Sequence, residues 1–189
     1  MTETTAATAT TPAAAAAAFD VERQRRLARR VIERRSFCLL ATSSAANRPH
    51  VAGVMYAVTS EGIFVSTSTG SVKARNVSQN WHVGVTIPVR RLPIGPPFTV
   101  QFQTTAELVE MDDPLVRRLL GAGELSAITA HGELDLPDGV FVRMRMPRRV
   151  ATYGIGVPLL EFVRHPLEAG RSVVLDAAWR RLDGAPGRR

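Results

Sequence analysis

Between residues 19 and 35 the apolar positions Val21, Leu27, Val31 and Ile32 recur at helical spacing among seven arginines, and Asp20 stands where an N-cap belongs. The pattern predicts an amphipathic helix whose arginines line a solvated face. After Ser36 the period shortens. Ser36–Ser44 is a brief apolar run closed by the turn-like stretch Ala45-Ala46-Asn47-Arg48-Pro49. His50–Ser60 is a second run, closed by Glu61-Gly62, and Ile63–Ser68 a third. A short helix over Val72–Asn80 follows, with Ser71 as its cap. Val83–Val89 and Phe98–Glu110 read as further strands, separated by a loop that Pro93, Pro96 and Pro97 impose. Asp112-Asp113-Pro114 opens another helix with the stripe Leu115, Val116, Leu119 and Leu120, stopped by Gly121 and Gly123. Val140–Tyr153 reads as one long strand interrupted at Pro147. Leu159–Arg164 and Ser172–Arg181 fit helix or strand equally, and the last four residues read as a frayed end.

Many evenly spaced strands with a few short helices predict a mainly β (α+β) fold, a small antiparallel barrel, because closure removes exposed sheet edges. The chain divides into a Thr/Ala-rich tail over 1–18, expected to be disordered, a barrel domain over 19–155 and a C-terminal extension over 156–189. With 189 residues, 45% hydrophobic and 22% charged, one folded core is expected. The longest apolar runs, such as Phe37–Ala41 and Val54–Val58, are far below the ~18 residues of a membrane-spanning helix, so no membrane partner is expected. The only cysteine, Cys38, excludes an intrachain disulfide and a cysteine-based zinc site, which fits a reducing, cytoplasmic setting. In its apolar strand Cys38 reads as a small buried hydrophobe. His50, His82, His131 and His165 never fall at ligand spacing, so no metal site is assigned. No Gly-x-Ser-x-Gly elbow is present. Trp81, Trp179, Tyr56 and Tyr153 are expected in the core or a dimer seam.

Charge narrows the partners. The net charge is +7, and among the 24 Lys and Arg residues Lys73 is the only lysine. Its compact ammonium does what a planar guanidinium cannot, which makes it a candidate. The sign suits an anion, either nucleic acid or a phosphorylated small molecule. Aromatics make up only 6% of the chain, too few for stacking platforms, so nucleic acid is disfavoured. The segment Phe64–Asn76 offers the phosphate chemistry instead. A strand ends in small hydroxyl residues and turns into a cationic helix start, so hydroxyls, free amides, Lys73 and Arg75 can all donate to anionic oxygens.

Phe37–Thr42, Arg48-Pro49-His50, the strand end Ser66–Thr69 and Lys73-Ala74-Arg75-Asn76 before a strand at Val83 together resemble a known family. It is the flavin-binding split β-barrels, which include pyridoxamine-phosphate oxidase and the actinobacterial flavin/deazaflavin oxidoreductases. The resemblance covers Val31 to about Glu110. It implies a homodimeric antiparallel split β-barrel with cofactor sites in the dimer groove. It also implies phosphate contacts from Thr67, Ser68, Ser71, Lys73, Arg75 and Asn76, and a second strand with His50, Val51, Ala52 and Val54 along the ring. Where pyridoxamine-phosphate oxidases carry Arg and Lys on that strand, this chain has Ala52 and Ala57, and Val72 stands where they have Arg. The Lys-Ala-Arg-Asn form is more similar to the branch that uses coenzyme F420. The implied function is therefore hydride transfer to a small-molecule substrate through F420 or FMN, not pyridoxamine-phosphate oxidation, with no catalytic side chain required. The alternative is a non-catalytic carrier of flavin, deazaflavin or haem. Val51, Val54, Met55 and Tyr56 form a strand too apolar for solvent, which also predicts a homodimer.

Overall fold

The computed structural model describes residues 20–90 and 98–175. The 1–18 tail, most of the proline loop, Trp179 and the greater part of Ser172–Arg181 lie outside the described residues.

Helix α1 (Val21–Arg34) starts at Asp20, whose carboxylate accepts from the Arg23 amide at 2.8 Å. Its buried face is Gln24, Ala28 and Ile32, while Val21 is exposed, contrary to the expected stripe. Gln24 is tolerated inside because its amide donates to Thr152 Oγ1 at 2.7 Å and to the Ile155 carbonyl at 3.0 Å.

Nine strands follow within the described residues. They are β1 (Phe37–Ser43), β2 (Pro49–Met55), β3 (Ala57–Thr59), β4 (Gly62–Ser68), β5 (His82–Val89), β6 (Phe98–Glu110), β7 (Gly139–Met144), β8 (Arg149–Tyr153) and β9 (Gly170–Val174). The expected run His50–Ser60 is therefore two strands. The break is Tyr56, whose amide donates to the Ser36 carbonyl at 2.7 Å and whose hydroxyl donates to the Ile32 carbonyl at 2.8 Å. These bonds pull Tyr56 out of the ladder and into the core, where it is fully buried. The expected strand Val140–Tyr153 is likewise two, β7 and β8, separated at Pro147.

The sheet order is β2-β1-β5-β6-β7-β4-β3, with β8 on β6 and β9 on β8, and every pairing is antiparallel. β6 is the spine. Its residues Phe98–Thr105 pair with β5, and Ala106–Glu110 pair with β7, so one strand carries the ladder from one half of the sheet into the other. The sheet curls until β2 and β4 approach each other without ladder bonds, which leaves the barrel split there. Its hollow is filled by Leu40, Val65, Val85, Val100, Val142 and Met144, all essentially inaccessible to solvent, and α1 closes one end through Ala28 and Ile32.

Among the described residues three more α-helices decorate the sheet: α2 (Val72–Gln79), α3 (Pro114–Gly121) and α4 (Leu159–Arg164). Asp113 caps α3 by accepting from the Leu115 amide at 2.7 Å. Val116 and Leu119 of α3 press on the outer side of β4 and β7, forming a second apolar cluster with Phe64, Phe141, Leu125 and Ile128. Ile63–Val65 of β4 and Val140–Val142 of β7 are thus covered on both faces, which explains these short continuous apolar runs.

Candidate functional site

Strand alternation divides the end of β4. Thr67 points to the barrel side and is buried, whereas Ser68 points to the opposite side, where its hydroxyl donates to the Asp138 carboxylate. Ser66 shares the Ser68 side, and its hydroxyl oxygen is a buried side-chain oxygen with no hydrogen-bond partner among the described residues. The chain then turns through Thr69-Gly70 into α2, whose N-cap is Ser71.

Ser71 organises the first turn. Its hydroxyl oxygen accepts from the Ala74 amide at 3.2 Å and from the Thr67 hydroxyl at 3.1 Å. With two bonds accepted, the Ser71 proton is free to be donated elsewhere. The first helical bond runs from the Arg75 amide to the Ser71 carbonyl at 3.1 Å, so the amides of Val72 and Lys73 are helix-end donors without an intrahelical acceptor. The helix dipole adds partial positive charge at the same place.

Lys73 is half-buried in this turn, and burial lowers its ammonium from the ordinary 10.5 by disfavouring the charged form. No carboxylate pairs with it among the described residues. Arg75 is exposed and folds back over the turn, donating to the Gly70 carbonyl. Asn76 is buried and turned inward, donating to Thr42 Oγ1 at 3.0 Å.

Through Thr42 the helix meets the second strand, because Thr42 is paired with His50 in the β1–β2 ladder. β2 is an edge strand, so its outer row of backbone groups has no ladder partner within the described chain. His50, Ala52 and Val54 lie on its inner face, with Val54 buried. Val51 points the other way and is 60% exposed, beside Met55 of the same strand and Phe37 and Leu39 of β1. The fold thus gathers Thr67, Ser71, Lys73 and Arg75 at one helix end and links them through Asn76 and Thr42 to the His50 end of β2. It sets the Ser68 and Val51 side chains on opposite faces from those groups. Thr42, absent from the candidates read in the sequence, had one signal: a polar residue in the inward register Cys38, Leu40, Thr42. Asp138 had none, since it reaches Ser68 across 70 positions.

Two expectations about apolar and aromatic residues change here. Val54 and Tyr56 are buried in the protein's own core rather than offered to a partner; the strand's exposed apolar groups are Val51 and Met55. Of the two places expected for Trp81, the core or a dimer seam, the core is excluded: Trp81 is 64% exposed on the chain, its indole N–H donating to His82 Nε2 at 2.7 Å.

No curated protein matches the sequence. Solved structures resemble the fold. HutZ, the heme storage protein from Vibrio cholerae, is 25% identical with a TM-score of 0.55, over 67% of this chain and 89% of that one. A heme binding protein from Mycobacterium smegmatis is 18% identical with a TM-score of 0.61, over 79% of this chain and 57% of its own. A putative pyridoxamine 5'-phosphate oxidase from Listeria innocua is 17% identical with a TM-score of 0.51, over 67% and 95%. The family model described as pyridoxamine 5'-phosphate oxidase matches residues 25–148, from the first helix through β7 to the start of β8. With its curled antiparallel sheet split between β2 and β4, the chain belongs to the pyridoxamine 5'-phosphate oxidase family of split barrels.

Proposed function

We propose that the chain is an FMN- or F420-dependent oxidoreductase acting on a small molecule, with the cofactor phosphate held at the end of β4 and the first turn of α2. The observation that carries this reading is Lys73. The only lysine of the chain sits half-buried, without a described acidic partner and with its charge disfavoured by burial, so a bound anion would restore the charge. The free proton of Ser71, the amides of Val72 and Lys73 and the guanidinium of Arg75 complete a donor set suited to a phosphate monoester.

In this reading Thr67 orients Ser71, and Asn76 positions the helix through Thr42 rather than touching phosphate. Ser68 stays with Asp138. His50, Ala52 and Val54 line the ring's side of β2, and Val51 contributes through its backbone. The ring supplies the hydride chemistry when bound, while the protein holds the phosphate, orients the ring edge and limits water. A second copy of the chain covers the exposed apolar patch of Phe37, Leu39, Val51 and Met55, giving a homodimer.

A haem-carrying reading is favoured by the names of two of the similar structures, a heme storage protein and a heme binding protein. Absorption titrations with FMN, F420 and haemin separate the cofactors. Reduction of enones or quinones by the protein with reduced flavin or deazaflavin then separates an enzyme from a carrier. FMN or F420 binding with steady-state turnover is expected. Saturable haemin binding with neither flavin nor deazaflavin binding overturns the oxidoreductase reading.

A further inference from the structure

Helix α1 carries seven arginines against three carboxylates between residues 20 and 35, and none of them belongs to the Thr67–Asn76 site. At about 100° per residue, Arg23, Arg26, Arg30 and Arg34 fall within an arc of about 80°, in one row that rises about 16 Å along the helix axis. All four are exposed. The carboxylates are engaged elsewhere. Asp20 accepts from the Arg23 amide as the N-cap. Glu22 and Glu33 flank the row on one side, Glu33 pairing with Arg29 at 2.7 Å and Glu22 with Arg25 at 3.3 Å, with a looser approach of 3.8 Å to Arg26. The side chains of Arg23, Arg30 and Arg34 have no hydrogen bond or ion pair among the described residues.

The row points away from the face that a second copy covers. On the far side of the helix, Ala28 and Ile32 pack into the core with Cys38 and Leu40, the inward residues of β1. Phe37 and Leu39 alternate with them and face outward. β1 therefore stands between the arginine row and the Phe37, Leu39, Val51 and Met55 patch, and a dimer built on that patch leaves the row in solvent.

Like charges aligned at this spacing repel one another, and no acid among the described residues relieves Arg23, Arg30 or Arg34. A linear polyanion does so, because its own charges recur along a line. Each guanidinium presents a fork that matches a phosphate. The apolar side of α1 is committed to the core, so the helix cannot sink into a lipid surface as interfacial helices do. No aromatic residue stands between Arg23 and Arg34, so unpaired bases find no stacking partner there. A duplex needs none, since its phosphates carry sequence-independent binding. The geometry points to the outward face of α1 as a docking surface for duplex nucleic acid, held through its phosphates by Arg23, Arg26, Arg30 and Arg34. The contact reads no base sequence and is independent of any cofactor at Lys73.

Fluorescence anisotropy of a labelled mixed-sequence DNA duplex, titrated with the full chain over a series of salt concentrations, tests this. Wild type is expected to bind with a dissociation constant of ~1–100 µM at physiological ionic strength and more tightly at low salt. The slope of log affinity against log salt should be about −3 to −4, for four phosphate contacts. Arg30→Ala and Arg34→Ala should each weaken binding about threefold or more at low salt and bring the slope about one unit nearer zero. Arg117→Ala removes the same charge from an exposed position of α3 and should bind as wild type. Alanine favours helix, and thermal melts establish that the variants are folded. Undetectable binding at low salt overturns the proposal, as do unchanged slopes in both α1 variants or an equal loss in Arg117→Ala. Tighter binding of the separated strands than of the duplex, or capture by phosphatidylserine vesicles with none by the duplex, overturns it in favour of those partners.

Discussion

Asn76 donates its side-chain amide to the hydroxyl of Thr42 at 3.0 Å, with both side chains buried. This one bond joins the helix that carries Lys73 to the strand paired with His50. Thr42→Val leaves the Asn76 amide without its acceptor and should cost about 1–3 kcal/mol, the desolvation penalty of an unmet buried donor. Asn76→Ala should cost a similar amount. The double variant should fall short of the sum, because the second change removes a bond already lost. Urea denaturation of the four proteins checks this, and strict additivity would show that the contact carries no coupling.

For Lys73 the expectations concern binding rather than stability. Lys73→Ala should weaken the phosphate-bearing cofactor by about 10- to 150-fold, the span of one charge-assisted hydrogen bond. Lys73→Arg should recover only part of that, since a planar fork does not reproduce a point charge. Unliganded stability should stay within about 0.5 kcal/mol.

The same group sets a pH dependence. Burial lowers the folded-state value for Lys73 below 10.5, so the unliganded folded protein gives up this proton at lower pH than the unfolded chain. Stability from this group therefore rises with pH through that window and is lost as pH falls. Anion binding runs the other way: it needs the ammonium, so affinity should decline with rising pH and begin to do so below 10.5. Cofactor titrations between neutral pH and pH 10 in wild type and Lys73→Ala would reveal it; parallel profiles would assign the decline to another group.

Burial pushes the Cys38 thiol up to about 12, and its side chain is fully enclosed. Thiolate is the reactive form, so native protein at pH 8 should resist alkylation by iodoacetamide, while denatured protein reacts stoichiometrically. Rapid labelling of the folded chain would place Cys38 in an opening segment of β1.

On the outer face of β1 and β2, Met55 lies opposite Phe37 in register, and both are exposed. Met55→Asp places a charge where a second copy would rest. Light scattering should give the mass of two chains for wild type and of one for the variant, with a monomer melt unchanged because Met55 contributes little to the protein's own core. A monomeric wild type would leave that patch without its proposed partner.

Short-range features were legible from the residues alone. Asp20, Ser71 and Asp113 cap α1, α2 and α3 because an N-cap needs only a side-chain oxygen two or three residues before a free amide. Strand periodicity is equally local, so the positions of β1, β4, β5 and β6 were legible, as was the Thr67–Asn76 turn. Tertiary structure decided what depends on partners far along the chain. Tyr56 breaks its strand because acceptors at Ser36 and Ile32 draw it inward, and Gln24 is buried because Thr152 and Ile155 receive its amide. Ser68 is engaged by Asp138, a partner 70 positions away that no local pattern announces. Residues 86, 101, 151 and 172 share one outward row only because ladder register sets them side by side. Such contacts close loops of tens of residues, and their choice among many possible pairings rests on the packing of the whole core rather than on any short stretch of sequence.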